Sequence, residues 1–127
     1  QTTEFLKLAS AAAEGVTASS PGLPIDSMPG GKAFRDKFTT KYGPIQTYAP
    51  YAYDAATAMI TAMEKAGSAD PAKVLAELPN IRFAGVTGEI GFDAKGDVLG
   101  GAITLYRVKA GKWEVLETVS SGAAPKK

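Results

Sequence analysis

The chain has 127 residues, 45% of them hydrophobic and 21% charged, which is enough apolar material for one packed domain and too much for a disordered segment. Fourteen basic residues against thirteen acidic ones leave a formal charge of +1, too little to draw the chain to a phosphate backbone or an anionic bilayer, so no nucleic-acid partner is expected. His and Cys are both missing, which removes imidazole bases, thiolate nucleophiles, disulfides and the usual zinc ligands.

From Thr3 to Ala13 the residues Phe5, Leu8, Ala9 and Ala12 recur at helical spacing, and Thr2 or Thr3 is suited to cap the start. Glu14-Gly15 breaks that pattern, and Val16 to Ser19 reads as a brief strand. The stretch SSPGLPIDSMPGG, residues 19–31, holds three prolines and three glycines and should cross the surface without regular structure. Lys32 to Tyr42 then sets Phe34, Phe38 and Tyr42 on one side of an amphipathic helix that Gly43-Pro44 ends.

The next run, YAPYAYDAATAMITAMEKAG from Tyr48 to Gly67, is a longer helix with Pro50 in its first turn and Gly67 as its left-handed stop. Its expected packing stripe is Ala52, Ala55, Ala56, Met59, Met63 and Ala66, small enough to allow close approach of a neighbour. Asp70 and Pro71 open another helix, with Val74, Leu75 and Leu78 as the buried face and Pro79 as the stop.

From Arg82 the character becomes β, with glycines at 85, 88, 91, 96, 100 and 101 between short apolar runs. Ala102 to Val108 is apolar on both faces apart from Arg107, as in a strand covered on both sides, and Lys109 to Lys112 makes a tight turn into a return strand from Trp113 to Val119. The closing SSGAAPKK reads as a frayed, solvated tail. No stretch approaches the roughly 20 apolar residues of a membrane-spanning helix, and Gln1 opens a polar segment without a leader pattern.

Sites for chemistry are few. Asp93 and Asp97 flank Ala94-Lys95-Gly96 but lack the alternating oxygen ligands and distal Glu of a calcium loop, so a turn is expected and no metal. Gly85, Gly88 and Gly91 have no Lys-Ser/Thr after them and no following helix, which points to bends or close backbone approach and not to a phosphate cradle. Glu14 stands at a strand start, where its carboxylate could serve ligand binding. No cofactor is expected.

In order and spacing, the segments AAEGV, FRDKFTTKYG, YAPYAYDAA, AGSADPAKV, FAGVTGEIGFDAKGD and LYRVKAGKW resemble the C-terminal third of the periplasmic solute-binding proteins of the branched-chain amino acid type, the receptors of ABC importers. The resemblance covers about the whole chain. It implies an α/β, three-layer periplasmic-binding-protein-like fold, of which this chain is an incomplete portion contributing to both lobes. Residues 1–20 and 101–127 would belong to the second lobe and residues 21–100 to the first, with the 19–31 stretch crossing between them.

Functionally, the resemblance implies capture of an amino acid-like solute, no enzymatic activity, an ABC permease as partner, and a periplasmic or extracellular, cell-envelope location. A further partner would be the missing N-terminal portion of the receptor, or other copies of the chain. By position Tyr48 matches the family's aromatic residue on the wall of the ligand cleft, and Tyr51 is the second candidate, whereas Tyr53 reads as packing; the resemblance puts the family's amino-group acid upstream of these residues and so implies a structural Glu14. The competing reading from the residues alone is a small independent α/β interaction module, or an enzyme that does without His and Cys.

Overall fold

The computed structural model describes residues 1–45 and 47–120. In chain order the elements are α1 (Thr3–Ala9), β1 (Thr17–Pro21), α2 (Gly31–Tyr42), α3 (Ala49–Ala66), α4 (Pro71–Glu77), β2 (Arg82–Ala84), β3 (Glu89–Gly91), β4 (Ala102–Lys109) and β5 (Lys112–Ser120), with 3₁₀ turns at Ser10–Ala13, Ile25–Ser27 and Leu78–Asn80. They gather into two compact units, one made of Gln1–Pro24 with Gly100–Lys127 and the other of Ile25–Leu99. The expected frayed tail falls mostly at 121–127, outside the described residues.

The discontinuous unit is built on an antiparallel sheet in the order β1-β4-β5. β4 lies in the middle, Ser19 opposite Leu105 on one side and Thr118 opposite Thr104 on the other. Ala110 and Gly111 both have positive φ, +49° and +71°, the geometry of a two-residue hairpin turn whose twist matches the strands it joins. Thr104, Tyr106 and Val108 alternate along β4 and are buried, and Ala13 is buried in the same unit. The Thr104 hydroxyl donates to the Gly22 carbonyl at 2.7 Å and meets the Thr118 hydroxyl at 3.0 Å, so the one buried polar side chain of the strand is satisfied.

Two expectations fail in this unit. The first helix stops at Ala9 and tightens into a 3₁₀ turn, with Leu8 86% exposed; the buried residue is Ala13, and Phe5 instead tilts against Trp113 at 5.7 Å between ring centres. β4 is covered on one face only, because Ile103 and Arg107 point away from the buried row, an arrangement antiparallel sheets accept.

In the continuous unit α2 carries an aromatic ladder. Phe34 and Phe38 lie 5.8 Å apart, Phe38 and Tyr42 5.1 Å, and Tyr53 of α3 reaches Phe34 at 5.3 Å. Between α3 and α4, Ala58, Ala62, Val74 and Ile81 form the core, with Met63, Leu78, Phe83 and Phe92 packed around it. Asp70 caps α4 by accepting from the backbone N–H groups of Ala72 and Lys73, and Gly67 ends α3 with φ +56°. β2 and β3 form a short hairpin in which Phe83 pairs with Ile90.

Here the sequence pattern misplaces three features. The stretch 19–31 is not structureless: it contains the end of β1 and a 3₁₀ turn, and Met28 and Gly31 are buried. The buried face of α3 is Pro50, Asp54, Ala58 and Ala62, an i, i+4 series, while Ala52, Ala55, Ala56 and Met59 are exposed. The charged Asp54 hid that series, since a carboxylate interrupts an apolar stripe on paper and is accommodated in space by hydrogen bonds. In α4, Leu75 is exposed and Val74 alone is fully buried; Pro79 continues the chain into a 3₁₀ turn, where its missing N–H costs nothing.

Candidate functional site

The candidate residues Tyr48 and Tyr51 lie at the start of α3. Tyr48 occupies the N-cap position, makes no capping bond with its side chain, and is 70% exposed. Tyr51 follows in the first turn and is half-buried, and Tyr53 turns to the Phe34 ring. Two candidates three residues apart on a helix share a side of it, so Tyr48 and Tyr51 can present neighbouring surfaces to one ligand. An amphipathic ring suits such a wall, offering apolar area with one directional hydroxyl.

A separate open groove of 590 Å³ runs between α2 and α3, lined mainly by Phe34, Phe38, Tyr42, Ala49, Tyr53 and Val86. Neither Tyr48 nor Tyr51 lines it.

The residue that sequence reasoning passed over is Asp54. Its carboxylate is 4% exposed and accepts from the Val86 N–H at 2.8 Å, the Thr87 N–H at 2.8 Å and the Thr87 hydroxyl at 2.7 Å. Gly85 is required beside it, because a Cβ there would lie 2.7 Å from the carboxylate oxygen. The signal was present in FAGVTG, a glycine-bounded turn with a hydroxyl in its middle, but nothing local ties that turn to an acid 33 residues earlier.

Two other acids that the sequence singles out hold turns. Glu14 accepts from the N–H groups of Ala110 and Gly111 and so holds the β4–β5 turn from the opposite end of the chain. Asp93 accepts from the N–H groups of Lys95 and Asp97 with one oxygen, closing a turn, and among the described residues no cluster of three metal-binding side chains occurs. Burial pushes the Tyr106 phenol above its ordinary value, with the Thr104 side chain opposing the shift.

A family model described as periplasmic binding protein matches residues 1–112. The chain belongs to that family. Members of this periplasmic binding protein family are solute-binding proteins and not enzymes. Among curated relatives, the leucine-, isoleucine-, valine-, threonine- and alanine-binding protein of Pseudomonas aeruginosa is 38% identical over 104 residues, covering 81% of this chain and 28% of its own length. A leucine binding protein from Thermotoga maritima superposes with a TM-score of 0.79 at 25% identity, over 93% of this chain and 34% of that one. A substrate-binding protein of an ABC transporter from Desulfitobacterium hafniense, solved in complex with leucine, gives 0.65 at 27% identity, over 90% and 39%.

This periplasmic binding protein chain thus spans about a third of the relatives it matches, and its α/β architecture is a portion of their fold, as the order of the sequence segments implied. No helix among the described residues is long and apolar enough to cross a membrane.

Proposed function

We propose that this chain is part of a receptor that captures a branched-chain or related amino acid and delivers it to the permease of an ABC importer at the cell envelope. The observation that carries the reading is the 38% identity, over 81% of the chain, to a protein named for binding leucine, isoleucine, valine, threonine and alanine. In this reading the unit of Gln1–Pro24 with Gly100–Lys127 belongs to one lobe and Ile25–Leu99 to the other. Tyr48, with Tyr51 behind it, forms part of the wall that meets the ligand side chain. A ligand that contacts both lobes only when they meet binds the closed form better, and that difference in affinity drives closure.

Calorimetric titration of the complete receptor with leucine, isoleucine and valine, alongside small-angle scattering with and without ligand, tests this. Saturable binding with compaction is the expected result. Binding of none of these amino acids by a folded receptor overturns it.

A further inference from the structure

We propose that Asp54 is the positioning residue of the Tyr48–Tyr51 wall, a role that rests on the ligand reading above. The first turn of α3 lacks a side-chain cap. Its N-cap residue is Tyr48, whose side chain gives no capping bond to the N–H groups of the first turn. A helix that starts in this way frays unless tertiary contacts hold its first turns.

Beside the ring contact of Tyr53 with Phe34, two buried side chains of α3 supply such contacts, four residues apart on one face. Pro50 is fully buried and Asp54 nearly so. Asp54 binds the 85–88 turn through three donors at 2.7 to 2.8 Å, and among the described residues no cation shares its charge. Hydrogen bonds to an ionised acceptor in a dry setting are the strong and directional kind.

The turn that receives this carboxylate is itself pinned. Gly85 N–H donates to the Gly88 carbonyl at 2.8 Å, and the Val86 carbonyl accepts from Gly30 N–H at 3.0 Å, just before α2. Asp54 therefore ties α3 to a fixed point about 9 Å along the helix axis from Tyr48, six residues at about 1.5 Å each. A fixed point that near the start of the helix sets the direction in which Tyr48 and Tyr51 leave it. No such clamp operates on Tyr53, whose ring is held by Phe34.

The test uses the complete receptor, with leucine as the probe. Asp54→Asn replaces one acceptor oxygen with a donor facing donors, and it should weaken leucine binding about tenfold. It should also speed amide exchange at residues 47–53 in the ligand-free protein more than at residues 58–66. The decisive comparison is a double-mutant cycle with Tyr48→Ala, because a residue that acts through Tyr48 loses its effect when the ring is gone. In the Tyr48→Ala background the Asp54 change should cost less than about twofold.

An equal loss in both backgrounds, or exchange that quickens evenly along α3, shows Asp54 to be merely structural and overturns the proposal. If Asp54→Asn does not fold, Thr87→Val removes one donor while keeping the shape, and a loss of about threefold that vanishes in the Tyr48→Ala background is expected. Failure of the unaltered receptor to bind leucine overturns the ligand reading instead, and the exchange pattern then decides the clamp by itself.

Discussion

Gly30 and Val86 approach so closely that a side chain cannot stand between them. The Gly30 N–H donates to the Val86 carbonyl at 3.0 Å, and a Cβ on Gly30 would lie 2.8 Å from the Val86 Cα and 3.3 Å from its oxygen. The backbone of Gly30 has φ −95°, which any residue tolerates, so the demand for glycine is spatial. Gly30→Ala should destabilise the protein by about 1 to 3 kcal/mol, by forcing two backbone segments apart. Urea unfolding measures it, and an unchanged midpoint would show that the two segments part freely.

Tyr48→Ala should weaken leucine binding to the complete receptor by about 1 to 3 kcal/mol while leaving the fold intact. The ring is 70% exposed in this chain, so its removal leaves no cavity and little stability is at stake. Titration calorimetry on the folded variant reads the result directly. A dissociation constant equal to that of the unaltered receptor removes Tyr48 from the wall.

Tyr106 makes stability depend on alkaline pH. Burial on β4 raises its pKa in the folded state, so between the unfolded and folded values the native chain holds a proton that the unfolded chain has released. The stabilisation is complete below the ordinary tyrosine value of about 10 and is lost as pH climbs through the folded one. Unfolding measured from about pH 9 upward should show stability falling, and Tyr106→Phe should flatten that fall. A slope unaffected by the substitution assigns it to other groups.

The 127-residue chain by itself is expected neither to bind leucine nor to stay monomeric. Met59 and Ile60 on α3, and Val115, Leu116 and Val119 on β5, are exposed, and β5 pairs only with β4 within this sheet. Such surfaces favour association, whether with the rest of a receptor or with copies of the chain. Light scattering and a leucine titration on the isolated chain check both parts. A stable monomer that binds leucine at micromolar concentration contradicts them.

Local chemistry was legible wherever the cause was local. Asp70 and Pro71 announced α4, Gly67 announced the end of α3, and Ala110-Gly111 announced the hairpin, because caps and turns depend on residues a few positions apart. The order of segments around YAPYAYDAA was enough to bring out the family. What stayed hidden required partners distant in sequence. The α3 face was misassigned because Asp54 finds its donors at Val86 and Thr87, and Glu14 finds its own at Ala110 and Gly111. The proposed place of Tyr48 on a ligand wall rests on resemblance alone, since no local pattern marks such a wall.

The pairing of β1 with β4 also governs how this chain reaches its fold. Thr17 pairs with Arg107 and the whole continuous unit lies between them in sequence, so the sheet closes a loop of about ninety residues, whereas β4 and β5 need only a two-residue turn. Short-range pairing is fast and long-range pairing slow, which makes the β4–β5 hairpin the natural template onto which β1 docks last. During synthesis β1 leaves the ribosome long before its partner exists. Until β4 emerges, residues 17–21 lack this partner while the Ile25–Leu99 unit is free to fold, and an interruption of synthesis anywhere before residue 102 leaves β1 without β4.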